Sequence, residues 1–197
     1  MNLEQFIAFV LFVFVTSITP GPNNVMLTAT GANVGVRRGL PHVFGVALGF
    51  ALMIFLVAAG IGSALLESPG AMRVLRVGGV AILFWLAWKI ASAGRARNGM
   101  RVRPISFLEA AAFQWVNPKG WLICAAAVGS FLHTEEGGAI LQAALFGATF
   151  IAVGTPCMLV WLGFGATMQR FLQTERALRG FNIAMGLLLA GSVFVLV

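Results

Sequence analysis

A chain of 197 residues, 59% hydrophobic and only 10% charged, with a mean hydropathy of +0.94, falls outside the range of a water-soluble domain. Its net charge of +7 raises nucleic acid as a partner, but the basic residues gather between apolar runs, where they set membrane orientation instead. Aspartate is absent and the histidines, His42 and His133, lie far apart, so no Ser-His-Asp arrangement, metal-ligand spacing or cofactor motif is present in the sequence.

Each crossing of roughly 30 Å of hydrocarbon takes about 20 apolar residues. The apolar runs predict six such segments, near 3–35, 40–66, 71–93, 105–132, 138–168 and 178–197. The first is expected to stay in the membrane rather than be cleaved as a leader, because it opens on Glu4 and Pro20-Gly21-Pro22 stands where a small-residue cleavage site belongs. It is broken at Thr19-Pro20-Gly21-Pro22-Asn23-Asn24, and the fourth is broken at Gln114-Trp115-Val116-Asn117-Pro118-Lys119-Gly120. Proline removes a backbone donor and clashes with the preceding turn, so neither run is one continuous helix. Each break reads instead as a helix start, with Gly21 or Asn117 at the cap and Pro22 or Pro118 in the first position. In the fifth segment Thr155-Pro156 predicts a kink. Runs such as Phe6 to Val15 do not alternate, which argues against a barrel.

Charge sets the orientation. Arg37 and Arg38 mark the first loop, Arg95, Arg97, Arg101 and Arg103 the third, with Lys89 just before it, and Arg170, Arg176 and Arg179 the fifth. The other loops hold Arg73 and Arg76 against Glu67, Glu135 and Glu136. Loops one, three and five are therefore expected in the cytoplasm, with both termini outside. The spacing of Phe44-Gly45 and Phe146-Gly147, Gly60-Ile61-Gly62 and Gly163-Phe164-Gly165, and Leu75-Arg76 and Leu178-Arg179 predicts an internal repeat. The expected fold is thus all-α and membrane-integral: one domain, 1–197, of two inverted three-helix repeats, about 1–95 and 103–197. Inverted repeats with broken helices at the midplane are a recurring plan of secondary transporters.

Helix starts present unpaired N–H groups and partial positive charge. The sequence therefore predicts a cradle for an amino acid at Pro20, Gly21, Pro22, Asn23, Asn24, Gln114, Asn117, Pro118 and Lys119. The helix starts and Lys119 would hold its carboxylate; broken-helix carbonyls and the Asn23, Asn24 and Gln114 amides would take its ammonium. No acidic partner for a basic side chain stands nearby, which favours neutral substrates. Candidates for carrying a proton are Lys119, Glu109 and His42. Glu109 also reads as a helix-start residue and His42 as a capping or cytoplasm-facing one. Cys124 and Cys157 read as small buried hydrophobes, and Gly45 and Gly49 as packing positions. An enzyme would need a cluster of acids, histidines or a nucleophile-base pair, which the chain lacks. A channel, a metal-ion exporter or a non-transporting subunit is the competing reading.

Thr19 to Asn24 and Asn117-Pro118-Lys119 resemble the two signatures of the LysE/RhtB family of amino-acid exporters. The resemblance runs through the whole chain, including the Gly49-Phe50 region, Trp85-Leu86-Ala87-Trp88-Lys89-Ile90 and Pro104-Ile105-Ser106-Phe107. It implies proton-driven efflux of small amino acids or derivatives, such as cysteine, O-acetylserine, homoserine, threonine or leucine, across a bacterial inner membrane. The implied partners are a small amino acid, protons and the lipid bilayer; homo-oligomerisation stays open. Phe50 departs from the family, whose members often carry a polar or acidic residue there, so the likeness assigns no coupling carboxylate at that position.

Overall fold

The computed structural model describes residues 1–60, 68–93, 103–132 and 138–193, and these are helical with no strand among them. Arg95, Arg97, Arg101, Glu67, His133, Glu135, Glu136 and the Ile61-Gly62 part of the repeat lie outside the described residues.

Helix α1 (Leu3–Ile18) begins with a capping box in which the Asn2 side chain accepts from the Gln5 amide at 2.8 Å and Gln5 accepts from the Asn2 amide at 2.9 Å. It stops at Thr19, whose extended backbone is what a following proline imposes. After Gly21, helix α2 (Pro22–Ala58) starts with proline in its first turn. Gly35, with φ 77°, is the one non-helical residue inside it, in the left-handed region that glycine occupies without strain.

The effect of Gly35 is large. In a straight helix Thr30 and His42 would stand about 18 Å apart along the axis. Here Thr30 Oγ1 and His42 Nδ1 are 2.9 Å apart, so the limbs 22–34 and 36–58 fold back on each other. The loop expected at Arg37 and Arg38 is therefore corrected: both are exposed helical residues, and the reversal is confined to Gly35.

Helix α3 (Pro69–Ala91) is capped by Ser68, and α4 (Phe107–Gln114) by a Ser106–Glu109 capping box. Across Trp115-Val116-Asn117 the chain restarts as α5 (Pro118–Phe131), so both proline breaks stand where the sequence puts them. Helix α6 (Ala139–Thr149) runs through a π turn (Phe150–Gly154) into α7 (Thr155–Met168). Pro156 cannot donate to the carbonyl four residues back, which lies in that turn, and the ladder widens there. Helix α8 (Glu175–Gly191) ends the described chain, with Thr174 as its cap.

Helix α2 is the centre of the packing. A Cβ at Gly49 would sit 2.6 Å from the Ala111 Cα, and one at Gly45 would meet the Phe107 carbonyl, so these glycines set how closely α2 and α4 approach. Gly31 and Gly39, on the two limbs, both face Leu162 of α7. Phe9 stacks on Phe146 at 4.3 Å and Phe50 tilts against Phe150 at 4.6 Å, joining α1, α2, α6 and the π turn in one apolar cluster. In lipid such clusters hold helices together by contact rather than by leaving water. Among the described residues three helical runs, Pro22–Ala58 (folded at Gly35), Pro69–Ala91 and Ala139–Met168, are by length and composition apolar enough to cross a membrane. Cys124 and Cys157 are free and buried, as small hydrophobes would be.

Candidate functional site

The two breaks, about a hundred residues apart in sequence, meet. Asn23 and Gln114 form a reciprocal amide pair, Asn23 Nδ2 donating to Gln114 Oε1 at 2.8 Å and Gln114 Nε2 to Asn23 Oδ1 at 3.1 Å. Lys119 Nζ crosses to the other break and donates to the carbonyl oxygens of Thr19 at 3.1 Å and Pro20 at 3.4 Å. Gly21 leaves room for it, since a Cβ there would lie 2.8 Å from Nζ and 2.9 Å from Cδ.

The last carbonyls of a helix have no partner inside it and carry the negative end of its dipole. At the end of α1 and just past it, the carbonyls of Ser17, Ile18, Thr19 and Pro20 receive side-chain donors. Asn24 Nδ2 donates to Ser17 O at 3.0 Å and Thr19 O at 2.8 Å, and Trp161 Nε1 of α7 to Ile18 O at 3.2 Å; Lys119 serves Thr19 and Pro20. Opposite this acceptor-rich end stand the starts of α2 and α5. Neither has a side-chain cap; Pro22 and Pro118 bring no N–H and the Gly120 amide donates to Asn117 O at 2.9 Å, so the first-turn N–H groups concerned are those of Asn23, Asn24 and Lys119.

A cavity with about 50 Å³ open to water lies between them. Gly21, Pro22, Asn23, Asn24, Asn117 and Lys119 line it, six of the nine residues expected from sequence. The other three do not. Pro20 contributes only its carbonyl to Lys119, Gln114 lies behind Asn23 with no exposed surface, and Pro118 packs toward Gly79 of α3. The amides also differ from expectation: Asn23 and Gln114 satisfy each other and Asn24 caps α1, whereas Asn117 Oδ1 is buried with no partner. The remaining walls, Thr16, Ser17, Val46, Phe50, Gly120, Ile123, Phe150 and Met158, were not among the residues expected to bind substrate. Of these, Gly120 closes the second break motif and Phe50 marks the departure from the family pattern; the others carried no signal.

Among the described lining residues Lys119 is the one that titrates. Glu109 is exposed and held in its capping box, accepting from the Ser106 amide at 2.8 Å. His42 is fully buried at the α2 hairpin with Nε2 unpartnered, not facing solvent as one sequence reading had it. Neither reaches the cavity. Two wider cavities, about 260 and 320 Å³, open among the 22–34 limb, α3 and α4; their walls are mostly apolar, with Lys89 in both and with Glu109, and Val116 of the second break, in the larger.

Residues 14–197 match the model of the LysE type translocator family. Cysteine/O-acetylserine efflux proteins of Escherichia coli K12 and of Shigella flexneri serotype 5b are each 34% identical to this chain over 186 residues, covering 92% of both partners. That is also the branch to which the stretches at Trp85 to Ile90 and Pro104 to Phe107 are similar. No solved structure matches. These relatives are efflux transporters, not enzymes, in keeping with the absence of any catalytic pattern from the sequence. Apolar membrane-length helices, two proline-started breaks and a family match over nearly its whole length lead to one conclusion: the chain belongs to the LysE type translocator family of membrane proteins.

Proposed function

We propose that the protein is a secondary active transporter that exports small, neutral amino acids or derivatives from the cytoplasm across the bacterial inner membrane, in antiport with protons. Six spans form two inverted repeats, about 1–95 and 103–197, both termini face away from the cytoplasm, and the repeats exchange conformations to give alternating access. The observation that carries this reading is the contact of Lys119 with the Thr19 and Pro20 carbonyls, across two helix breaks that flank one small cavity. A zwitterion needs both signs of partner. The uncapped starts of α2 and α5 suit its carboxylate, and the α1 carbonyls with Asn117 Oδ1 suit its ammonium.

Size and charge narrow the substrate. One water occupies about 10–15 Å³ on this scale, so about 50 Å³ suits a ligand of few heavy atoms. With a lysine in the wall and no acid, a second positive charge on the substrate is unfavourable. The names of the relatives point the same way, to cysteine and O-acetylserine, with homoserine, threonine and leucine as the other members of the class. Of the three proton-carrying candidates Lys119 is preferred, because it alone faces the cavity. The test is efflux from proteoliposomes over a panel of amino acids, with and without a pH gradient. Gradient-driven efflux of small neutral members is expected; passive ion flux, or no flux of any amino acid, sinks the reading in favour of a channel or a subunit.

A further inference from the structure

The ammonium of Lys119 sits on an acceptor site of the kind a substrate ammonium needs. The Thr19 and Pro20 carbonyls do not themselves line the cavity; the Lys119 side chain does, and its Nζ lies on both of them. Gly21 keeps the approach clear, and Asn117, which lines the same cavity, holds its Oδ1 as a buried acceptor without a donor. We propose that the α1 carbonyl end is the seat for the substrate ammonium, and that Lys119 fills that seat when the carrier is empty. This rests on the exporter reading above and supplies its coupling.

The sign of the coupling follows from the competition. If the charged lysine held the substrate carboxylate, as expected from sequence, proton and substrate would travel together, which is symport. With both ammonium groups contending for the same carbonyls, they exclude one another, which is antiport. Facing the cytoplasm, Lys119 loses one N–H proton to cavity water and retracts as a neutral amine. The zwitterion then seats its ammonium on Thr19 and Pro20 and its carboxylate on the α2 and α5 starts. Facing outward, substrate leaves, the amine takes one proton from water, and the ammonium docks for the return. One proton enters for each zwitterion that leaves. The other polar or sulfur-bearing walls, Thr16 and Ser17 of α1, Asn23 and Asn24 of α2, Asn117 at the cap of α5 and Met158 of α7, do not titrate in the working range, and the remaining walls are apolar or glycine, so no second group blurs the exchange.

The experiment measures serine binding to purified protein between pH 6 and 7.5, where serine remains a zwitterion, and serine exchange in proteoliposomes. Competition predicts that wild-type affinity rises with pH, by up to about tenfold per unit. Lys119→Gln binds serine independently of pH and keeps serine/serine exchange but loses gradient-driven efflux. Lys119→Arg, permanently charged, loses binding and exchange at every pH. An affinity that falls or stays flat with pH in the wild type overturns the proposal without any variant. Retention by Lys119→Arg with loss by Lys119→Gln overturns it in favour of a carboxylate anchor. Wild-type vesicles that carry no amino acid of the panel overturn the exporter reading itself, and this inference with it.

Discussion

The two breaks share a local design and differ in what they ask of the rest of the molecule. Each ends a helix, passes three residues and restarts at a proline with no side-chain cap. At the second break the freed carbonyls are served from nearby in the chain: Trp121 Nε1 donates to Trp115 O at 2.9 Å and the Asn117 amide to Gln114 O at 3.3 Å. At the first, Lys119 and Trp161 come from other helices, 100 and 143 residues away. The second break is locally self-sufficient and exports a cation; the first is a cluster of acceptors completed only by the fold. Two similar motifs thus play opposite electrostatic parts, and a site for a zwitterion needs both.

If that asymmetry is right, removing donors at the first break is the most damaging change. Asn24→Leu strips a donor from Ser17 and Thr19 and is expected to cost about 2 kcal/mol of stability. Serine exchange should fall at least about tenfold, that energy being worth more than one decade in an equilibrium constant. Both are read from denaturant unfolding in detergent and from vesicle exchange. Gln114→Leu cuts the bridge between the breaks and leaves Asn23 unpaired, at a cost of about 1–2 kcal/mol. A double-mutant cycle with Asn23→Leu should return a coupling of about 0.5–1.5 kcal/mol, and strict additivity would show that the bridge holds nothing.

The second break should tolerate more. Trp121→Phe removes one donor from Trp115 O while keeping most of the apolar ring, and about 1 kcal/mol or less is expected, with exchange within about twofold of wild type. A loss equal to that of Asn24→Leu would erase the distinction. Smallest is Glu109→Ala, which removes half of a capping box on an exposed helix start: about 0.5–1 kcal/mol, with gradient-driven efflux intact. Loss of proton coupling in that variant would reinstate Glu109 as the proton carrier.

Much of this molecule is legible in its residues one stretch at a time. Proline at 20, 22 and 118 stops and restarts helices because it lacks an N–H, and Asn2, Ser68, Ser106 and Thr174 start them because a short side chain accepts from the first turn. The apolar runs and the packing role of Gly45 and Gly49 are equally local readings. A reversal between the segments 3–35 and 40–66 was expected as a loop at Arg37 and Arg38, but that it is confined to Gly35 was not legible, since one glycine among 24 carries no mark of its φ angle. The π turn before Pro156 was legible only as an expected kink.

What the residues by themselves determined is where helices begin, break and turn apolar, because those outcomes depend on bonds within about four positions along the chain. Which polar groups remain for a substrate was decided only by the tertiary structure. Asn23 meets Gln114 across 91 residues, Asn33 meets Asn182 across 149, and Lys119 meets Thr19 across 100. Asparagine, glutamine and lysine carry side-chain donors wherever they occur. Whether each one closes a helix end, clasps a neighbour or stays open to a ligand follows from what the packed helices bring within about 3 Å of it.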